Sequence, residues 1–143
     1  MSRHKVLLID DEEEFTNALA ERLTLRGMTV ESAYSGEEAL KKVTDHDFDA
    51  VLLDLAMPGW DGIETLKRLK KARPDLQVVL LTGQATVGQG VEAMKLGAAD
   101  LVEKPAALKE LLEKIEEVSA KKALLIEEQL EAEMEAILRK RGW

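Results

Sequence analysis

The side chains able to do chemistry together are three carboxylates, one hydroxyl and one amine. Asp10 and Asp11 follow the apolar run 6–9, and Asp54 follows Ala50-Val51-Leu52-Leu53. Thr82 follows the run 78–81, and Lys104 comes after Leu101-Val102-Glu103 and just before Pro105. Carboxylates held within a few ångströms repel, and cannot all stay ionised unless a cation joins them. Hard oxygen ligands in a small, partly hydrated site suit Mg²⁺, or Mn²⁺ as a substitute. Mg²⁺ commonly takes one or two carboxylates plus phosphate oxygens. An Asp beside such an ion can attack phosphorus and form an aspartyl phosphate. Phosphoryl transfer needs mainly positioning and neutralised equatorial oxygens, which a cation, an ammonium and a hydroxyl supply.

Each residue also has a plainer explanation. An Asp after a strand is commonly a turn former, and Asp10 or Asp11 could cap the next helix. Thr82-Gly83 could be a turn, and Lys104 a solvated surface amine. Capping accounts for one acid per helix. It does not account for two acids, a hydroxyl and a lysine that all follow strand-like runs.

The elements that must position these residues alternate in period. Apolar runs at 6–9, 28–30, 50–55, 78–81 and 98–102 have strand length and little alternation, as strands buried on both faces do. Helical patterns lie between them. The first carries Phe15, Leu19, Leu23 and Leu25 and stops at Gly27. The second opens on the capping-box pattern Ser35-Gly36-Glu37-Glu38. The third carries Ile63, Leu66, Leu69 and Ala72 and ends before Pro74. The fourth spans roughly 87–96, and the fifth carries Leu108, Leu111, Leu112, Ile115 and Val118. The expected fold is α/β: a doubly wound five-stranded parallel sheet, flavodoxin-like with strand order 2-1-3-4-5, with five helices and a C-terminal helical extension. In such a sheet ligands bind outside the carboxyl ends of the strands, where the five residues fall.

Composition excludes other classes. The 143 residues suit one domain. A net charge of −8 argues against general affinity for nucleic acid or anionic lipid. The absence of cysteine excludes disulfides, thiolate metal sites and a thiol nucleophile. No apolar run approaches a membrane span, and the start MSRHKVLLIDDEEEF does not read as a signal peptide, so a cytoplasmic location is expected.

In order and spacing, the site residues and their neighbours resemble the receiver domain of two-component response regulators, the family of the chemotaxis response regulator. The matching pieces are Leu7-Leu8-Ile9-Asp10-Asp11-Glu12, Leu52-Leu53-Asp54-Leu55-Ala56-Met57-Pro58-Gly59-Trp60-Asp61-Gly62, Leu81-Thr82-Gly83 and Gly97-Ala98-Ala99-Asp100-Leu101-Val102-Glu103-Lys104-Pro105. They spread over residues 5–119. The resemblance implies Asp54 as phosphoacceptor, with Asp11, Asp54 and the backbone carbonyl of Ala56 binding Mg²⁺ directly. It implies that Asp10 acts through a metal-bound water, and that Thr82 and Lys104 hold the phosphoryl group. The Lys104–Pro105 bond is typically cis in the family. The implied donor is a phosphohistidine on a sensor histidine kinase or phosphotransfer protein. Phosphorylation would pull Thr82 inward and reshape the face of the fourth helix, fifth strand and fifth helix for a downstream protein target. The implied role is signalling rather than enzymatic turnover.

The sequence departs from the family pattern in places. Leu101 stands where Tyr or Phe is usual, and Leu has no ring to turn inward. Ala56 and Gln84 lie near positions that tune dephosphorylation, and Ala56 has no polar side chain to orient a water. Rival readings fit less well. An aspartate-based phosphohydrolase places a second Asp two residues after its nucleophile, but Glu12 follows Asp10 and Ala56 follows Asp54 at that distance. A flavin-binding module wants a Ser/Thr/Gly-rich loop where this chain has Asp-Asp-Glu-Glu-Glu. A degenerate, purely structural receiver would not need the full set Asp11, Asp54, Thr82 and Lys104.

The expected division is a receiver over 1–119 and an extension over 120–143. In the extension Ala123, Ile126, Leu130, Met134 and Ile137 recur at helical spacing. This stripe is rotated by roughly 60–90° from that of the fifth helix, and Lys121 and Lys122 interrupt the join. A single long helix and a separate sixth helix both fit. The stripe could pack on its own domain, on a second copy in a homodimer, or on a partner; the fourth-helix/fifth-strand/fifth-helix face is another possible dimer surface. Arg139-Lys140-Arg141 suits a helix C-terminus. Trp143 reads as a frayed end, His4 and His46 as exposed, and Trp60 as either a reporter of the site or a packed loop residue.

Overall fold

A computed structural model of the chain describes residues 4–57, 59–83, 87–104 and 107–142. The five apolar runs form strands β1 (Lys5–Ile9), β2 (Thr29–Ala33), β3 (Ala50–Asp54), β4 (Val78–Thr82) and β5 (Asp100–Glu103). Helices α1 (Glu13–Leu25), α2 (Gly36–Asp45), α3 (Gly62–Ala72), α4 (Val87–Lys95) and α5 (Leu108–Lys140) alternate with them. All pairings are parallel, in the order β2-β1-β3-β4-β5. This is the doubly wound, flavodoxin-like order expected from the sequence.

Period-two alternation sends each strand's side chains to two separate cores. Leu7, Ile9, Val51, Leu53 and Leu80 meet Val43 of α2, Leu66 and Leu69 of α3, and Ala93 of α4. Val6, Leu8, Leu52, Val79 and Leu81 meet Leu23 of α1 and Leu111, Ile115 and Val118 of α5. Every residue of β3 and β4 is buried, because helices cover both faces of the central strands.

Element bounds differ from expectation where polarity intervenes. β2 runs on through Glu31 and Ser32, which are half-exposed on an edge strand and so interrupt an apolar count. β5 starts at Asp100 rather than at 98, because the turn at Leu96-Gly97 (Gly97 φ +98°) closes α4 and residues 98–99 only lead into the strand. Ser35 caps α2 as its pattern predicts, accepting from the Glu38 N–H at 3.2 Å, while the Glu38 carboxylate accepts from the Tyr34 N–H. Neither Asp10 nor Asp11 caps α1. Its N-cap is Glu12, with no side-chain bond.

The fifth helix is one unbroken element of 33 residues, about 50 Å long at 1.5 Å per residue. There is no separate sixth helix among the described residues. Lys122 does not face water at the join: it is 3% exposed, and its Nζ donates to Asp47 Oδ1 and to the Phe48 carbonyl, both at 2.6 Å. Beyond it, residues 123–142 are all exposed, so the stripe does not pack on its own domain. His4 is half-buried rather than exposed, because its Nε2 lies 2.8 Å from Glu116 Oε2 on α5. His46 is exposed as expected. No helix among the described residues is long and apolar enough to cross a membrane.

Candidate functional site

Parallel register decides where the polar residues arrive. Ile9 of β1 pairs with Leu53 of β3, so Asp10 and Asp54 leave the sheet side by side. Thr82 ends β4 and Lys104 follows β5 at the same edge, where the Lys104 N–H donates to the Thr82 carbonyl at 2.7 Å. One carboxylate oxygen from each of Asp10, Asp11 and Asp54 lies within 4.8 Å of the others. Asp10 and Asp54 are buried and Asp11 is exposed. Thr82 is 2% exposed. Lys104 is half-buried; its Nζ sits 2.9 Å from Asp10 Oδ2 and 4.0 Å from Asp54 Oδ2. The structure therefore brings together four of the side chains that the strand ends suggested and sets Thr82, the fifth residue, at the same edge.

Local bonds hold this arrangement. Asp10 Oδ1 accepts from the Glu12 N–H at 2.9 Å, and Asp54 Oδ1 accepts from the Ala56 N–H at 3.2 Å. Asp10 therefore orients its own loop instead of capping a helix. The Phe15 ring lies 4.3 Å from Lys104 Nζ, a cation–π contact that supports the amine from below. Sequence reasoning placed Phe15 only in the α1 stripe; its position one turn after the Asp pair was the available signal. Gly62 is required where α3 returns against the chain leaving Asp54, since a Cβ there would collide with Leu55 Cα.

The charges are unbalanced. Burial pushes the Asp54 carboxyl above its usual range, and Asp10 and Asp11 push it further; the Ala56 N–H and the Lys104 ammonium oppose this without cancelling it. Burial alone would lower Lys104, but bonding to Asp10 and the charges of Asp10 and Asp54 outweigh it and raise its pKa. One ammonium thus faces three carboxylates. The donors are all hard oxygens, and the exposure of Asp11 leaves room for coordinated water. This set fits a hydrated divalent cation such as Mg²⁺.

Neighbouring residues resolve smaller questions. Trp60 is half-buried and packed in its loop, where the Arg68 guanidinium stacks 4.0 Å from its ring centre and a Cβ at Gly36 would press on the indole, and this packing is compatible with a reporter role. Leu101 packs on the core beneath α2–α4, and a Cβ at Gly90 of α4 would stand 3.3 Å from Leu101 Cδ2. Pro58, Gln84, Pro105 with the Lys104–Pro105 bond, and Trp143 lie outside the described residues.

A model of the response regulator receiver domain matches residues 6–116. The chain belongs to the response regulator receiver family. Among relatives, it is 38% identical over 116 residues to the probable transcriptional regulator ycf27 of Cyanidium caldarium, covering 81% of this chain and 46% of that one. It is 37% identical over 108 residues to the response regulator MprA of Mycobacterium ulcerans (strain Agy99), covering 76% and 47%. The receiver thus spans about half the length of these curated relatives. A CheY-like receiver from Methanospirillum hungatei JF-1 superposes with a TM-score of 0.82 at 30% identity, over 85% of this chain and 98% of that one. Receivers are, as a family, signalling modules of two-component systems. The match sets this chain apart from the hydrolase and flavin rivals.

Proposed function

We propose that this receiver accepts a phosphoryl group on Asp54 from a phosphohistidine of a sensor kinase or phosphotransfer protein, and so controls a face that a downstream protein reads. The observation that carries this reading is the charge imbalance at the sheet edge, with three carboxylate oxygens within 4.8 Å of one another and a single ammonium among them. Asp11, Asp54 and the Ala56 carbonyl would hold Mg²⁺, or Mn²⁺ in its place, with Asp10 acting through a coordinated water. The ion supplies positive charge to the carboxylates and to the phosphoryl oxygens.

The protein's own residues do the rest. An Asp54 carboxylate oxygen attacks phosphorus, the P–O bond forms as the donor's P–N bond breaks, and the electron pair leaves on the imidazole nitrogen. Lys104 already stands 4.0 Å from Asp54 Oδ2 and shifts from Asp10 to a phosphoryl oxygen. Thr82, at the end of β4, offers its hydroxyl to another. Inward motion of Thr82 is then felt at β5 and α4, where Leu101 is already packed and moves without a ring flip. In this reading residues 1–119 form the receiver, 120–143 are an appended helix, and the protein is a cytoplasmic signalling module, not a turnover enzyme.

The test is to incubate the chain with Mg²⁺ and acetyl phosphate and to measure intact mass. The chain gains one phosphoryl group, EDTA prevents it, and Asp54→Ala abolishes it. With beryllium fluoride, Trp60 fluorescence in a Trp143→Phe background changes only when Mg²⁺ is present. An acyl phosphate formed at another residue in Asp54→Ala would overturn the site assignment.

A further inference from the structure

The exposed half of α5 carries more apolar surface than an isolated helix keeps in water. Ile126, Leu130, Met134 and Ile137 are 42%, 59%, 55% and 53% exposed. With Ala123 they recur at intervals of three, four, four and three residues. At about 100° per residue this set stays within roughly 40° either side of Leu130. Its spacing is also a palindrome centred on Leu130. An isologous interface needs a surface that complements itself under a two-fold axis, and a palindromic stripe does so when two helices run antiparallel.

We propose that a second copy of this chain covers this stripe, with the two α5 helices packed antiparallel about a two-fold axis through Leu130. Ala123 then faces Ile137 of the second copy, Ile126 faces Met134, and Leu130 faces Leu130. Charge selects the same direction. In this register Leu138 of the second copy comes opposite Lys122, whose Nζ grips Asp47 and the Phe48 carbonyl. Arg139, Lys140 and Arg141 of the second copy therefore run past the end of α2, where Asp45 is exposed, and the loop after it, where the Asp47 side chain is 66% exposed. A parallel pair would instead crowd the basic ends of both copies together. The antiparallel pair still sets Glu127 opposite Glu133, which keeps the association reversible. The three-four-four spacing is an eleven-residue repeat of about 3.67 residues per turn, so the pair would wind gently right-handed instead of in the left-handed heptad supercoil.

The full chain has no cysteine, so single cysteines report the register cleanly. Disulfides need Cα atoms about 4.4–6.8 Å apart. Sedimentation of the full chain across a concentration series should show a monomer–dimer equilibrium, and Leu130→Glu should remove the dimer while Tm, compared at a dilution where both chains are monomeric, stays the same. Under mild oxidation a mixture of Ile126→Cys and Met134→Cys chains should cross-link to each other, while Ile126→Cys alone should not. The triple change Arg139→Glu, Lys140→Glu, Arg141→Glu should weaken the dimer by on the order of tenfold. A chain that stays monomeric at every concentration leaves the stripe to a different partner and overturns the proposal. So does a dimer indifferent to Leu130→Glu, or efficient self-cross-linking of Ile126→Cys, which marks a parallel pair.

Discussion

Two lysines at opposite ends of the sheet each lean on an aspartate, and they do different things. Lys104 is half-buried at the carboxyl edge, 2.9 Å from Asp10, with Asp54 and Asp11 beside it. Lys122 is almost fully buried near the loop that enters β3, bonded to one exposed carboxylate and one backbone carbonyl. At Lys122 each charge has one partner and the count closes. At Lys104 one amine serves three acids, and the deficit invites a cation and a phosphoryl group. A lysine–aspartate contact is therefore not by itself a sign of function. The local charge balance separates a site from a strut.

The comparison breaks most visibly by removing each amine in turn. Lys104→Met should cut the rate of phosphorylation by acetyl phosphate by on the order of 10²-fold, as loss of a donor to developing charge does, and the Tm it loses by leaving the carboxylates uncompensated should return when Mg²⁺ is added. Lys122→Met should act on the fold alone. It strands the buried Phe48 carbonyl and costs about 1–3 kcal/mol in urea unfolding, while phosphorylation proceeds at the wild-type rate. Equal effects of the two changes on both readouts would dissolve the distinction.

Relieving the imbalance is the next largest effect. Asp54 has its folded pKa above the ordinary carboxylate value. Its contribution to stability is fully present below that ordinary value and is lost as pH rises through the raised one. In metal-free buffer at neutral pH, Asp54→Asn should therefore raise Tm. The gain should vanish on acidification towards the ordinary carboxylate range. Mg²⁺ should stabilise the unmodified protein by about 1 kcal/mol at a concentration a few times its dissociation constant, seen as a higher Tm, and should do less for Asp54→Asn. Scanning fluorimetry with and without EDTA measures both.

The smallest effect belongs to Asp100. Burial opposes its ionisation, but the Lys114 ammonium and the Leu101 N–H hold its carboxyl below the usual range. Its stabilisation is present above the ordinary carboxylate pKa and lost as pH falls through the lowered one. Asp100→Asn should lower Tm slightly at neutral pH, and the difference should close in acid.

Much of this arrangement is legible in the sequence because parallel strands end in line. A residue just past each buried run must reach the same edge, so Asp10, Asp54, Thr82 and Lys104 could be grouped before any distance was known. The edge strand β2 was harder to delimit, since Glu31 and Ser32 interrupt its apolar run. The Phe15 ring beneath Lys104 and the His4–Glu116 contact were not legible, because each joins residues that serve different local patterns. Lys122 shows the same limit. In the helical pattern it looked like a charge at a join, and only the loop before β3 makes it a buried strut.

By itself the sequence determined which side chains stand at the strand ends, where the helices run and that their apolar stripes change direction after Val118. These follow from periodicity and residue type, which act over a few turns. Tertiary structure decided that three carboxylates converge within 4.8 Å, that Lys104 meets Asp10 across 94 residues of chain, and that α5 continues unbroken with its last apolar stripe in water. The reason is that charge balance and burial depend on strand order and helix direction, and those are set by the whole sheet rather than by any one segment.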